Sequence, residues 1–192
     1  MLSRSTYIRR RQALLETDAP SSGLVLLLGN ESSAMNYRAN PYPFRQDSTF
    51  LYYFGLDVPA VDGLIDLDSG EARLYGDDPD LEAVVWMGDQ PSLHERAQRV
   101  GVSATAPRSA LAEALAEAIA AGRSVHFLPP YRARHAARLN ALTGIAPDRT
   151  AEYASTPLIE TVIRHRSVKS AEEIAQIETA VETTEIGRAS CR

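Results

Sequence analysis

Short apolar runs alternate with longer segments of helical periodicity along most of this chain. The runs that have the length and residue types of strands lie at residues 24–28, 60–67, 71–75, 102–105 and 125–128. Segments with an apolar stripe at helical spacing lie at residues 5–18, 91–100, 109–121, 131–142 and from 170 onward. This alternation predicts an α/β fold, a mixed β-sheet flanked by helices, and the turn at Gly70 predicts one antiparallel strand pair.

The densest apolar stretch follows two prolines, Pro41 and Pro43, and runs from residue 48 to 54. Residues 42–54 carry six of the chain's thirteen aromatic side chains (eight Tyr, four Phe and one Trp in all). Aromatic and β-branched residues favour strands, and at period two both faces of this segment are largely apolar. We therefore predict a strand that is covered on both sides.

Composition narrows the class of protein. The 192 residues, 44% of them hydrophobic and 23% charged, suit one large globular domain or a domain with an appendage. The net charge of −5 argues against a general nucleic-acid binder, and no run approaches the roughly 18 apolar residues of a membrane span. The single cysteine, Cys191, excludes an internal disulfide framework. No signal peptide is recognisable, so we expect a cytoplasmic protein without a membrane partner.

Candidate chemistry is sparse in the residues themselves. The four histidines are widely spaced, and no His-Glu-x-x-His, glycine-rich phosphate loop or Gly-x-Ser-x-Gly motif occurs. Three consecutive arginines at 9–11 could bind an anionic partner, but we interpret them as a solvated face whose stems pack on the domain. From physics alone, the lone Trp86 is expected to be a core anchor. These patterns indicate an α/β domain without a visible active site.

Four ordered motifs, however, resemble the N-terminal domain of bacterial Xaa-Pro aminopeptidase (aminopeptidase P), of the creatinase and prolidase group. They are Arg9-Arg10-Arg11-Gln12-Ala13-Leu14; Tyr42-Pro43-Phe44-Arg45-Gln46-Asp47-Ser48 with Phe50, Tyr53 and Gly55; residues 82–88 around Trp86; and Arg166-x-x-Lys169-Ser170-x-Glu172-Glu173-Ile174. In the last motif Ala171 stands where the family has proline. The resemblance covers residues 4 to about 185.

The resemblance implies a metal-dependent enzyme that releases the N-terminal residue from peptides with proline second. Two divalent ions, usually manganese, would be held by a downstream "pita-bread" catalytic domain, and none of their ligands is in this chain. The N-terminal domain would mediate homo-oligomer contacts, with Trp86 reaching the substrate pocket of a neighbouring subunit. Tyr42 and Arg45 are further candidates for an interface or pocket, although a role in holding the fold is the alternative for both.

The resemblance also divides the chain. We expect residues 1–165 to form the N-terminal domain and residues 166–184 to be the linker and first helix of the catalytic domain. Residues 185–192 depart from the family and read as the translation of a common sequencing adapter, which predicts a non-native tail. Two alternatives remain open: a prolidase-type Xaa-Pro dipeptidase, and a stand-alone binding or assembly module without peptidase activity.

Overall fold

The computed structural model describes residues 2–16, 20–37 and 39–190, with side chains through residue 184. The predicted end of the first helix at Asp18, and Cys191, lie outside the described residues. Within that part of the chain, none of the helices is long and apolar enough to cross a membrane.

The described residues form eight helices and five strands in an α/β arrangement. The helices are α1 (Arg4–Glu16), α2 (Ser48–Phe54), α3 (Leu81–Met87), α4 (Leu93–Arg99), α5 (Ala110–Ala120), α6 (Ala133–Thr143), α7 (Thr156–Ser167) and α8 (Ala171–Ser190). The strands are β1 (Leu24–Leu27), β2 (Asp62–Asp66), β3 (Ala72–Tyr75), β4 (Ala104–Ala106) and β5 (Val125–His126).

The strands build one mixed sheet in the order β4-β3-β2-β1-β5. The central pairs β1–β2 and β2–β3 are antiparallel, whereas β1–β5 and β3–β4 are parallel. Gly70, with φ 75°, closes the predicted turn between β2 and β3. The predicted fold class, a mixed sheet flanked by helices, is therefore confirmed.

Two apolar clusters cover the two faces of the sheet. Val25 and Leu27 of β1 point into a cluster with side chains of α1, α2, α4 and α7. Leu24 and Leu26 point into the other cluster, which is completed by α5 and α6. Because successive strand residues face opposite sides, the wholly buried β1 needs apolar residues at every position, as its sequence supplies.

The predicted strand at residues 48–54 is wrong, because this segment is helix α2. Asp47 caps it by accepting hydrogen bonds from the amides of Thr49 (2.8 Å) and Phe50 (2.9 Å). Gly55 ends it in the left-handed conformation, with φ 66°. At helical spacing Phe50, Tyr53 and Phe54 fall on one face, and all three are fully buried. The two end signals and this one-sided burial outweigh the strand preference of aromatic residues.

The expectation of a solvated arginine face on α1 is also wrong for two of its three residues. The guanidinium of Arg11 is buried and donates to the carbonyls of Tyr53 (2.8 Å), Val100 (2.8 Å) and Gly101 (3.0 Å). It thereby satisfies carbonyls at the ends of α2 and α4 that have no partner within their helices. Burial lowers the pKa of Arg11 to about 10. Arg10 donates to the Tyr52 carbonyl at 2.9 Å and lies 3.8 Å above the Tyr52 ring centroid.

Sequence signals at other helix ends have mixed outcomes. Ser170 and Glu173 have capping-box spacing, and the box forms: the Ser170 amide donates to Glu173 Oε2 at 2.8 Å, and the Ser170 hydroxyl accepts from the Glu173 amide at 3.3 Å. Ser109 precedes α5 and is a residue type that favours helix caps, but it makes no side-chain cap hydrogen bond. Residues 151–154 form turns and a bend, and α7, which follows them, ends at Ser167.

Candidate functional site

Trp86 lies on α3, a short helix that stands at the surface of the domain. Asp80 caps the helix, its carboxylate accepting from the Ala83 amide at 2.8 Å, and Gly88 ends it with φ 75°. Trp86 is 77% exposed, Leu81 80% and Met87 72%, and no residue of α3 is buried. The expectation that Trp86 anchors the core is therefore wrong.

The inner side of α3 borders a cavity of about 340 Å³. Ala83 and Met87 of α3 line it on one side, and Val58, Val61 and Leu93 are among the residues that line it on the other. The helix therefore faces open space where a packed helix would meet side chains. Several exposed apolar residues on one short helix form a surface typical of protein contacts.

Tyr42 and Arg45 line a different cavity, of about 230 Å³, together with Glu31, Phe44 and Arg132. Both side chains are exposed. Trp86 is not among the residues that line this cavity. The structure thus brings two of the three predicted site residues together and places the third elsewhere.

The neighbouring Gln46 explains part of the motif in structural terms. Its buried side-chain oxygen accepts from the amides of Asn30 (2.6 Å) and Asp47 (2.8 Å), and its nitrogen donates to the Val58 carbonyl (2.8 Å). Asn30 returns a hydrogen bond from its side chain to the Arg45 carbonyl at 2.8 Å. Because buried amides need partners, Gln46 ties the two ends of the β1–α2 connection to each other and to the α2–β2 connection. The backbone at Arg45 therefore has a part in holding the fold.

A charge network that sequence reasoning missed lies beside these residues. Asp62 is fully buried and accepts from Arg108 Nε at 3.1 Å, with Arg138 Nη2 at 3.4 Å. Arg108 also pairs with Glu31 at 2.6 Å, and Arg134 pairs with the same carboxylate at 3.1 Å. Burial alone would raise the pKa of Glu31, but the hydrogen bond and charge of Arg108, with the charges of Arg134 and Arg138, hold it below its ordinary value. These residues are far apart in the sequence and do not form a recognisable motif, so the sequence alone does not predict the network.

The described residues offer no metal centre. Among them, no group of three or more histidine, cysteine, aspartate or glutamate side chains lies close enough to hold a metal ion. The histidines contact other groups; for example, His165 Nδ1 lies 3.0 Å from the Tyr53 hydroxyl and His126 Nδ1 3.0 Å from the Ser155 hydroxyl. The described part of this chain therefore offers no site for the pair of manganese ions, which the sequence resemblance places in a downstream catalytic domain and which stay a prediction.

Curated relatives match part of the chain at about one third identity. A probable Xaa-Pro aminopeptidase of Ajellomyces dermatitidis is 33% identical over 107 residues, which are 56% of this chain and 21% of the relative. The Xaa-Pro aminopeptidase of Escherichia coli is 33% identical over 104 residues, which are 53% of this chain and 23% of the relative. The aligned residues thus span about a fifth of the length of these relatives.

Solved structures of aminopeptidase P share the fold. A histidine-to-alanine variant of the Escherichia coli enzyme superimposes with a TM-score of 0.77 at 23% identity, covering 97% of this chain and 44% of that one. Pseudomonas aeruginosa aminopeptidase PepP gives a TM-score of 0.71 at 24% identity, covering 91% of this chain and 40% of that one. At these identities the likeness establishes the fold alone.

Residues 7–126 match the family model described as aminopeptidase P, N-terminal domain. This segment contains most of α1, the Tyr42–Ser48 motif, α2, α3 and all five described strands. Since the match covers more than half of the chain, the protein belongs to the aminopeptidase P N-terminal domain family.

Proposed function

We propose that this chain is the non-catalytic N-terminal domain of a metal-dependent Xaa-Pro aminopeptidase, which releases the N-terminal residue from peptides with proline second. The observation that carries the proposal is the family match over residues 7–126. The names of the relatives supply the reaction class, and the limited share of their length that the chain covers leaves room for a separate catalytic part. The metal ions, expected to be manganese, would be held by that part, and no catalytic step is assigned to the residues described above.

Within that enzyme, α3 would be a contact surface between subunits of a homo-oligomer. Two observations support this role: the apolar residues of α3 are exposed, and a cavity lies between α3 and the rest of the domain. Trp86 would reach the substrate pocket of the neighbouring subunit, where an indole ring can pack against an apolar residue or a proline ring. Tyr42 and Arg45 would lie at an interface or line a pocket, since both border the same small cavity.

Activity assays on two forms of the protein test the proposal. The 192-residue chain and the longer protein encoded by the source gene are each incubated with MnCl₂ and a tripeptide that has proline second. We expect release of the first residue by the longer protein and none by the 192-residue chain. Comparison with an Xaa-Pro dipeptide separates the two peptidase hypotheses, because a prolidase-type enzyme would prefer the dipeptide. A longer protein that cleaves neither substrate, or a source gene that encodes nothing further, would favour the assembly module.

The role of Trp86 is tested in the longer protein with Trp86→Ala and, as a matched control, Leu81→Ala on the same exposed helix. Loss of a substrate-contacting ring is expected to raise KM for the tripeptide about tenfold, roughly the effect of losing 1.4 kcal/mol of binding. Leu81→Ala removes an equally exposed apolar side chain of the same proposed contact surface but no substrate contact, so it should raise KM less than Trp86→Ala does. Equal kinetics for both variants and the wild type would remove Trp86 from the substrate pocket.

A further inference from the structure

A cavity of about 380 Å³ lies where β1 and β5 end, between α2, α6 and α7, away from Trp86, Tyr42 and Arg45. Leu28, which follows β1, and Phe127 and Leu128, which follow β5, lie on its wall. Strands β1 and β5 are parallel, so the cavity opens at the carboxyl ends of a parallel pair. That position is where open α/β sheets commonly bind ligands, and the volume falls in the range of small-molecule sites.

Much of the rest of the wall is apolar: Leu139 of α6 and Val162 and Ile163 of α7 continue the aliphatic lining. The uncharged polar residues on the wall are Ser48, Thr49, Tyr131 and His135. Small-molecule sites usually combine such a lining with a few convergent polar groups that fix the orientation of the ligand. Here the charged groups on the wall are Asp47 and Arg166.

Both of these oppositely charged side chains hydrogen-bond to the same residue, Thr49. Asp47 Oδ1 accepts from the Thr49 amide at 2.8 Å, and Arg166 Nη1 donates to the Thr49 hydroxyl at 3.3 Å. They nevertheless do not pair with each other, and within the described residues Arg166 forms no ion pair with any carboxylate. The half-buried guanidinium therefore keeps donors for an anion, and the second oxygen of Asp47 accepts no hydrogen bond from the described residues.

We propose that this cavity binds a zwitterionic apolar α-amino acid, with the ligand carboxylate on Arg166, its ammonium group on Asp47 and its side chain against the aliphatic wall. A ligand that carries only a negative charge would be repelled by Asp47. A ligand that carries only a positive charge would be repelled by Arg166. A ligand whose ammonium and carboxylate groups are bonded to the same carbon matches both groups, and the apolar lining favours an aliphatic or aromatic side chain. The site needs no catalytic domain, so this inference stands independently of the peptidase proposal.

The test is an NMR titration of the ¹⁵N-labelled 192-residue chain with three probes: L-leucine, N-acetyl-L-leucine and L-leucinamide. The second lacks the positive charge and the third lacks the negative charge. We expect saturable shifts of the Thr49 and Leu128 amides with leucine at millimolar concentration, and at least about tenfold weaker binding of each analogue. Equal binding of all three probes would overturn the zwitterion assignment. The absence of saturable shifts at these amides with leucine would overturn the site.

Matched variants test whether Arg166 and Asp47 bind the two charged groups of leucine. Arg166→Gln and Asp47→Asn should each weaken leucine binding at least about tenfold, and asparagine keeps the ability to cap α2. The controls are Arg164→Gln, on the same helix but away from the cavity, and Asp80→Asn, which makes the same change at the cap of α3. Both controls should bind leucine as the wild type does. The dispersed amide spectrum of each variant reports its folding, so wild-type affinity in a folded Arg166→Gln variant would contradict the proposal.

Discussion

Two helices of this domain, α2 and α3, have the same length and opposite environments. Each has seven residues, is rich in apolar side chains, begins after an aspartate cap and is followed by a glycine with positive φ. Four residues of α2 are buried, including two phenylalanines and a tyrosine, whereas none of α3 is. Local helix signals therefore do not decide where an apolar helix lies.

The neighbours of the two helices account for the difference. The carbonyl end of α2 receives a hydrogen bond from the buried Arg11, and the loop before α2 is held by Gln46. On the inner side of α3 lies a cavity, and its outer residues meet solvent. Apolar surface that contributes little to folding and is kept on a capped helix is available for a partner. We therefore infer that α2 contributes to stability, and the proposal that α3 is a contact surface rests on this difference.

Truncating the aromatic side chain on each helix should give the largest contrast. Phe50→Ala removes a fully buried ring and is expected to lower the free energy of unfolding by about 3–5 kcal/mol. Trp86→Ala removes an exposed ring and should change it by less than about 0.5 kcal/mol. Urea denaturation followed by circular dichroism measures both. A loss of several kcal/mol on Trp86→Ala would contradict the assignment of α3 to contact.

Removing the arginine that supports α2 should have a smaller but clear effect. Arg11→Met keeps much of the buried stem but leaves the Tyr53, Val100 and Gly101 carbonyls without this donor. Unsatisfied buried groups cost about 1–3 kcal/mol, and we expect a loss in that range. Arg9→Met, at an exposed position of the same helix, is the control and should be nearly neutral. Equal stabilities for the two variants would show that α2 does not depend on Arg11.

Removal of the aspartate cap of each helix should affect α2 and α3 differently, although both effects are small. Asp47→Ala removes hydrogen bonds to two amides of a helix packed in the core, and should cost about 1–2 kcal/mol of global stability. Asp80→Ala should speed amide hydrogen exchange across α3 while leaving the global unfolding transition in place, because α3 opens without exposing the core. Hydrogen exchange and denaturation together distinguish the outcomes. A lower global stability for Asp80→Ala would mean that α3 is coupled to the core.

The smallest expected effect concerns pH and the charges next to the entry of α2. The pKa of Glu31 is lowered in the folded state, so its contribution to stability is present above its unfolded pKa of 4.5 and disappears as the pH falls through the folded value. Wild-type stability should therefore decline below about pH 4.5 more steeply than that of Glu31→Gln. Glu113→Gln, at an exposed position of α5, serves as the control. Parallel acid profiles for Glu31→Gln and the wild type would exclude this contribution.

The sequence predicts the sheet and most helices because each strand is a short apolar run between turn residues, as at Gly70. It misplaces α2 because residues 48–54 suit a strand by composition, although Asp47 and Gly55 carry the end signals of a helix. Burial is harder to predict. Arg11 is buried because carbonyls 42 to 90 positions away need a donor, and no local pattern contains that requirement. The exposure of Trp86 is equally hard to predict. The sequence of α3 does not show that the rest of the domain lacks a surface against which the indole ring could pack.

The most direct test of the contact assignment uses the fact that Trp86 is the only tryptophan in the chain. Its fluorescence in the dilute 192-residue protein reports α3 without interference from the core. We predict a solvent-exposed emission maximum and acrylamide quenching close to those of the urea-unfolded chain, because the indole is already in water. A blue-shifted native emission that moves to longer wavelength on unfolding would mean that Trp86 is buried, and would contradict the distinction between the two helices.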